Sequence, residues 1–178
     1  MTLAEIKNKL IGPDLKYGGV VNYIVDNKPM FIVEYGGGKS TFLISELLDA
    51  LGYGGKIVGF ESNPYWYQDH ILKGWNKYNN IFLVDIDHFN YDEVKNQYVV
   101  RYLHPIEDVE DVDLVIIDGP DLKLYSPYPL ATINLLDIVE YKEKEIPYFI
   151  DGRSGTKQFY KSKFKQNLEI QDIKINRT

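Results

Sequence analysis

Hydrophobic and polar positions along the chain fall into two rhythms that take turns. Leu3, Ile6 and Leu10 lie on one side of a helical pattern over residues 2–11, which Gly12-Pro13 ends. Residues 17–26 fit no single pattern, a second helix being one option, and Asn27-Lys28-Pro29 closes them. From residue 30 the alternation becomes regular. The pattern predicts buried strands over 30–35, 56–60, 81–86, 114–117 and 147–150. It predicts helices over 40–51, 64–78, 130–141 and 156–167. Phe42, Leu43, Leu47 and Leu51 are available for packing in the first of these, and Tyr160, Phe164 and Leu168 recur at fourfold spacing around the last. Residues 88–113 have weak periodicity, with an edge strand or hairpin expected over 97–103, and a final strand is expected over 169–175.

Apolar strands alternating with helices imply an α/β fold, a doubly wound, mostly parallel sheet covered on both faces. No internal repeat or linker interrupts the pattern. The expectation is one domain over 1–178, with 1–29 an N-terminal helical segment and 30–178 a Rossmann-like core.

The charged chemistry concentrates at strand ends. VEYGGGKST follows the first strand and opens a helix. An ATPase phosphate loop would need glycine at position 33, which is Val33, and its spacer would contain the carboxylate of Glu34. Asp118 is the nominal Mg²⁺ partner for that reading, which is the weaker one. Taken from the glutamate instead, the stretch presents Glu34, Gly36, Gly38, Ser40 and Thr41, a turn open to close backbone approach with an acid suited to a positive group. The second strand ends in Glu61, 27 residues after Glu34, with Ser62 beside it. An acid at that place is positioned to take both hydroxyls of a ribose.

In order along the chain, VEYGGGKST, GFES, FLVDID and VDLVIIDGP resemble the four motifs of class I S-adenosylmethionine-dependent methyltransferases, over residues 30–151. The resemblance implies that the glycine loop passes under the amino-acid part of the cofactor and that Glu61 holds its ribose. It implies that Asp87, with Asp85 as rival, meets the adenine amine, and that Asp118 lies beside the reactive methyl. The pairing of Gly-x-Ser-Thr with Ile-Asp-Gly-Pro is similar to members acting on small molecules or sugars. The implied reaction is methyl transfer to oxygen or nitrogen. The other classes carried forward are a cofactor-binding fold without catalysis and, behind it, a phosphate-loop hydrolase.

Asp118 is the candidate catalytic residue, as general base or as substrate anchor. Asp151 repeats the pattern one strand later. Asp118 and Asp151 are weak candidates for a divalent metal, like the ligand pair of catechol-type O-methyltransferases. The third ligand position holds Gly152, so no metal is the favoured expectation. Asp151 and Arg153 are candidates for the substrate, Arg153 clamping an anion or pairing with Asp118 or Asp151. Asn63-Pro64 reads as a helix start, with Tyr65 or Trp66 covering the adenine or packing in the core. His70 is expected on the exposed side of its helix and His88 on the surface.

The formal net charge of −6 argues against nucleic acid as a general partner. From Gly152 onward seven cations face two anions, which is either a solvated helix face or a rim attracting an anionic substrate. There is no cysteine, no membrane-length apolar run and no secretory leader in the first residues, a pattern that fits a cytoplasmic protein. The acceptor would be a small molecule recognised by the N-terminal segment, the 122–129 loop with Tyr125 and Tyr128, and the region after Asp151. An uncovered sheet edge would suit a homodimer.

Overall fold

The structure, a computed structural model, describes residues 1–92, 97–109, 111–120, 131–164, 166 and 168–171. The element order is α1 (Leu3–Ile11), α2 (Gly18–Asn27), β1 (Phe31–Tyr35), α3 (Lys39–Leu51), β2 (Lys56–Glu61), α4 (Pro64–Leu72) and β3 (Ile81–Leu83). There follow β4 (Ile86–Asp92), β5 (Gln97–Tyr102), a 3-10 turn (Ile106–Val109), β6 (Leu114–Ile117), β7 (Ala131–Thr132), α5 (Asn134–Lys142), β8 (Tyr148–Ile150) and α6 (Ser154–Lys163).

Five strands form one wholly parallel sheet in the order β3-β2-β1-β6-β8, the doubly wound Rossmann-like arrangement that the pattern predicts. Side chains alternate across it with period two. Val33, Tyr35, Val115, Ile117, Tyr148 and Ile150 enter a core on one face with α5 and α6. Ile32, Leu114, Ile116 and Phe149 enter a second core on the other face with α1, α2 and α3. Both faces are dry, which is why the strands read as continuous apolar runs.

Several boundaries differ from the sequence pattern, each for a local reason. The helix expected to reach residue 78 stops at Leu72, because Gly74 turns left-handed (φ +71°). Gly74 N then donates to Ile71 O and Trp75 N to His70 O, closing the last turn. The strand expected over 81–86 breaks at residue 84. Val84 N still donates to Glu61 O, but Asp85 O accepts from Leu103 N, so the chain changes partner and leaves the sheet. The region of weak periodicity is that departure: β4 and β5 form an antiparallel hairpin, with β7 added parallel to β5. The helix expected from residue 130 starts at Asn134, because Ala131 and Thr132 are paired with Val99 and Val100. Of the last expected strand, Glu169 forms a bridge with Tyr148. Residues 172–175 of that expected strand, and the 122–129 loop, lie outside the described residues.

The carboxyl ends of β1 and β6 meet through glycine. Gly36 (φ +97°) lies so close to Gly119 that a Cβ on either would come within 2.6 Å of the other's backbone. A Cβ on Gly119 would also stand 2.0 Å from Tyr102 Oη. Gly119→Ala therefore lowers unfolding stability by about 1–3 kcal/mol through overpacking. Urea denaturation checks this, with a reduced midpoint and an unchanged slope expected.

Candidate functional site

The strand order reverses between β1 and β6, since β1 leads to β2 on one side and β6 stands on the other. Open parallel sheets bind ligands at the carboxyl edge of such a point. The crevice there encloses about 280 Å³, the low end for a small-molecule site. Gly36, Gly38, Ser40, Glu61, His70 and Asp118 are among the residues that line it.

The glycine loop is not a phosphate cradle. Gly36 N and Gly37 N both donate to Phe60 O, at 2.8 and 3.0 Å, and Gly38 N donates to Thr41 Oγ1 at 2.9 Å. A cradle needs those amides turned toward the ligand. Here they tie the loop to β2 and to the first turn of α3, and Lys39 reaches Asp14 at 3.4 Å.

Glu34 is fully buried beneath this loop. Thr41 Oγ1 donates to its Oε2 and Tyr17 Oη lies 3.2 Å from its Oε1. The same Tyr17 hydroxyl lies 3.1 Å from Asp118 Oδ2. A phenol carries one proton, so it serves one carboxylate at a time. Burial pushes Glu34 up to about 7, against hydrogen bonds from Ser40, Thr41 and Tyr17 that favour the charged form, with Glu61 adding repulsion. Burial likewise pushes Asp118 up to about 7, reinforced by the charges of Glu34 and Asp151 and opposed by Arg153 and Tyr17. Tyr17 sat in the stretch whose pattern was ambiguous, and nothing local to a tyrosine before Gly18-Gly19 signals a partner 101 residues away.

Glu61 ends β2, and its Oε1 accepts from Ser62 N at 2.8 Å and Asn63 N at 2.7 Å. Asn63 caps α4 with Pro64 at its start, as expected. His70 is not on the exposed side of that helix. It is the buried residue of α4, 7% exposed, and its Nε2 lies 3.9 Å from Glu61 Oε2. Helix α4 is short and only weakly amphipathic, so its periodicity could not show which face turned inward. Trp66 lines the crevice while Tyr65 is 83% exposed. Ser62 Oγ is buried with no hydrogen-bond partner among the described residues.

The remaining sequence candidates divide. Ser40 lines the crevice, whereas Thr41 is buried under it. Asp85 and Asp87 are exposed where the chain leaves the main sheet and do not line the crevice, and Asp87 Oδ1 accepts from His88 N. His88 is exposed. Asp151 is half-buried at the end of β8 and acts on Asp118 through charge. Arg153 folds over Asp118, donating to the carbonyls of Asp118 and Pro120, with one guanidinium nitrogen 4.0 Å from Asp118 Oδ1. A cation therefore already stands beside the acid pair considered for a metal. No group of three metal-ligating side chains occurs among the described residues. No helix among them is long and apolar enough to cross a membrane.

The sequence matches no protein-family profile and no curated protein. Among solved structures it is similar to the O-methyltransferase TomG from Streptomyces achromogenes, involved in tomaymycin synthesis and solved in complex with SAM. The identity is 16%, the match covers 90% of this chain and 76% of that one, and the TM-score is 0.37. A likeness this loose decides neither substrate nor activity.

Glu34 and Asp118 give stability a definite dependence on pH. With Glu34 and Asp118 raised toward about 7, the folded chain keeps protons that the unfolded chain releases at about pH 4. Their contribution is full at low pH and is lost as pH rises from about 4 through about 7. In Glu34→Gln the side chain no longer titrates, so the fall in urea midpoint between about pH 5 and about pH 7 is smaller than in wild type.

Proposed function

We propose that the chain binds S-adenosylmethionine in the crevice and transfers its methyl group to an oxygen or nitrogen of a small molecule or sugar. The observation that carries this reading is the convergence of a tight glycine loop on β1, an acid ending β2 and an acid ending β6 on one 280 Å³ crevice at the point of strand reversal. Residues that resemble the first, second and fourth methyltransferase motifs thus share one site, although they are spread over residues 34–118.

The donor set suits the cofactor. Glu61, with one oxygen fixed by two backbone amides, is oriented to accept ribose hydroxyls. Gly36 and Gly38 allow a ligand to approach the backbone, and the negative site at Asp118 complements a sulfonium. When bound, the cofactor supplies an electrophilic methyl whose C–S bond breaks with its electron pair going to sulfur. The chain's part is to align the acceptor, exclude water and accept its proton. Asp118, near 30% exposed at its side chain and raised to about 7, has the placement and proton affinity for that last task. Arg153 is placed to fix Asp118 from the other side.

A second reading, cofactor binding without transfer, is supported by the engagement of Asp118 by both Tyr17 and Arg153. The occupied loop amides count against a triphosphate.

Calorimetric titration with S-adenosylhomocysteine, beside ATP with Mg²⁺, tests the proposal. The expected result is micromolar binding of the first ligand only, weakened at least about tenfold in Glu61→Ala. In Glu61→Gln, which keeps an acceptor for the Ser62 and Asn63 amides, the loss is intermediate. Binding of ATP alone, or equal affinity in all three proteins, would sink it.

A further inference from the structure

A buried tyrosine stands between two acids with one proton to give. Tyr17 has no exposure to solvent, and its Oη lies 3.2 Å from Glu34 Oε1 and 3.1 Å from Asp118 Oδ2. Both distances are long for an O–H···O contact and nearly equal, so separation does not choose between the acids. Burial, reinforced by the charges of Glu34 and Asp118, raises the phenol well above its ordinary value, so Tyr17 keeps its proton. Two oxygen–oxygen contacts need two protons, and the phenol supplies one. The second comes from a carboxyl group. On the far side of Glu34, Thr41 Oγ1 accepts from Gly38 N and donates to Oε2, which leaves Oε1, facing Tyr17, as the place for a proton on Glu34.

The surroundings of the two acids decide which one holds that proton. Glu34 is fully buried and forms no ion pair among the described residues. Besides Asp118, it feels the repulsion of Glu61, against the hydroxyls of Ser40, Thr41 and Tyr17. Asp118 is 30% exposed at its side chain, with a guanidinium nitrogen of Arg153 4.0 Å from Oδ1. Glu34 and Asp151 repel its charge, and the phenols of Tyr17 and Tyr102 stand near it. A carboxylate costs most where solvent and cations are both absent, which is the position of Glu34. We propose that Glu34 keeps its proton and donates it to Tyr17, and that Tyr17 donates to Asp118, holding Asp118 ionised toward a cationic ligand. Tyr17 and Glu34 are then positioning residues: neither lines the crevice, whereas Asp118 does. The cationic ligand rests on reading the crevice as an S-adenosyl site. The order of the protons does not.

The test is a site-resolved pH titration of the full chain by NMR of isotope-labelled carboxyl carbons, without ligand. As pH rises from about 5, Asp118 is expected to ionise first and Glu34 at least about one unit higher. Glu34 ionising first, or both together, overturns the assignment. In Tyr17→Phe the Asp118 midpoint is expected to rise by about one unit, because the charged form loses a hydrogen bond. A midpoint that stays put reduces Tyr17 to a ring packed on Phe149 and refutes its role. Glu34→Gln presents an amide N–H where the proposal has a protonated carboxyl, so the Asp118 midpoint is expected to stay within about half a unit. A fall of about one unit or more means that Glu34 carried a charge, and the assignment fails. Should either variant not fold, the order of ionisation in wild type decides. Calorimetric titration at about pH 7 then compares S-adenosylmethionine with S-adenosylhomocysteine, which lacks the sulfonium charge. Tyr17→Phe is expected to weaken the charged ligand about tenfold more than the neutral one. Equal losses refute the role toward a cation. If folded wild type binds neither ligand, the S-adenosyl reading falls, and the proton assignment is judged by the NMR titration alone.

Discussion

A fully buried carboxyl group at the end of the central strand governs this molecule. Glu34 has no access to water, so every oxygen it presents needs a hydrogen-bond partner supplied by the fold. Thr41 and Ser40 come from the first turn of α3, and Tyr17 from the start of α2. That demand draws the N-terminal helices, the glycine loop and the central sheet to one point. Tyr17 packs edge-on against Phe149 of β8, 5.0 Å between centroids, so the same residue joins the apolar core to the polar site.

The glycine loop is shaped by the same requirement. With its amides spent on Phe60 and Thr41, the loop is held against β2 rather than opened to solvent. Its backbone therefore lies flush with Gly119, and the ends of β1 and β6 meet without intervening side chains. Asp118 N and Gly119 N both donate to Tyr35 O, at 2.7 and 2.6 Å, which fixes the direction in which the chain leaves β6. Asp118 is thereby brought within reach of the tyrosine that serves Glu34. Glu34, fully buried, and Asp118, half-buried beside it under the same phenol, hold their protons to higher pH than solvated acids do.

The site also depends on a departure from regularity. The chain changes partner near Asp85 and builds the β4–β5 hairpin instead of extending β3. Tyr102 then reaches back from the hairpin, its hydroxyl within 2.0 Å of where a Gly119 Cβ would be, so the turn after β6 packs against it. Asp85 and Asp87 are carried to the surface by the same turn. Spacing alone placed them after a third strand. The pairing of β4 with β5, of which the pattern announced only an edge strand or hairpin over 97–103, decided where their side chains went.

Local order along the chain determined a good deal: the alternation of strands and helices, the parallel sheet, the turn at Gly36 and the acids that end β2 and β6. These are legible because strand periodicity and glycine-rich turns act over a few residues, and because a buried parallel strand must be apolar on both faces. Tertiary structure decided what meets at those strand ends. Tyr17 joins Asp118 across 101 residues, His70 turns inward against Gly38 and Glu61, and Arg153 folds back over Asp118. Each is a polar side chain whose position is set by the need to satisfy a buried partner. That need exists only once the layers have packed and excluded water.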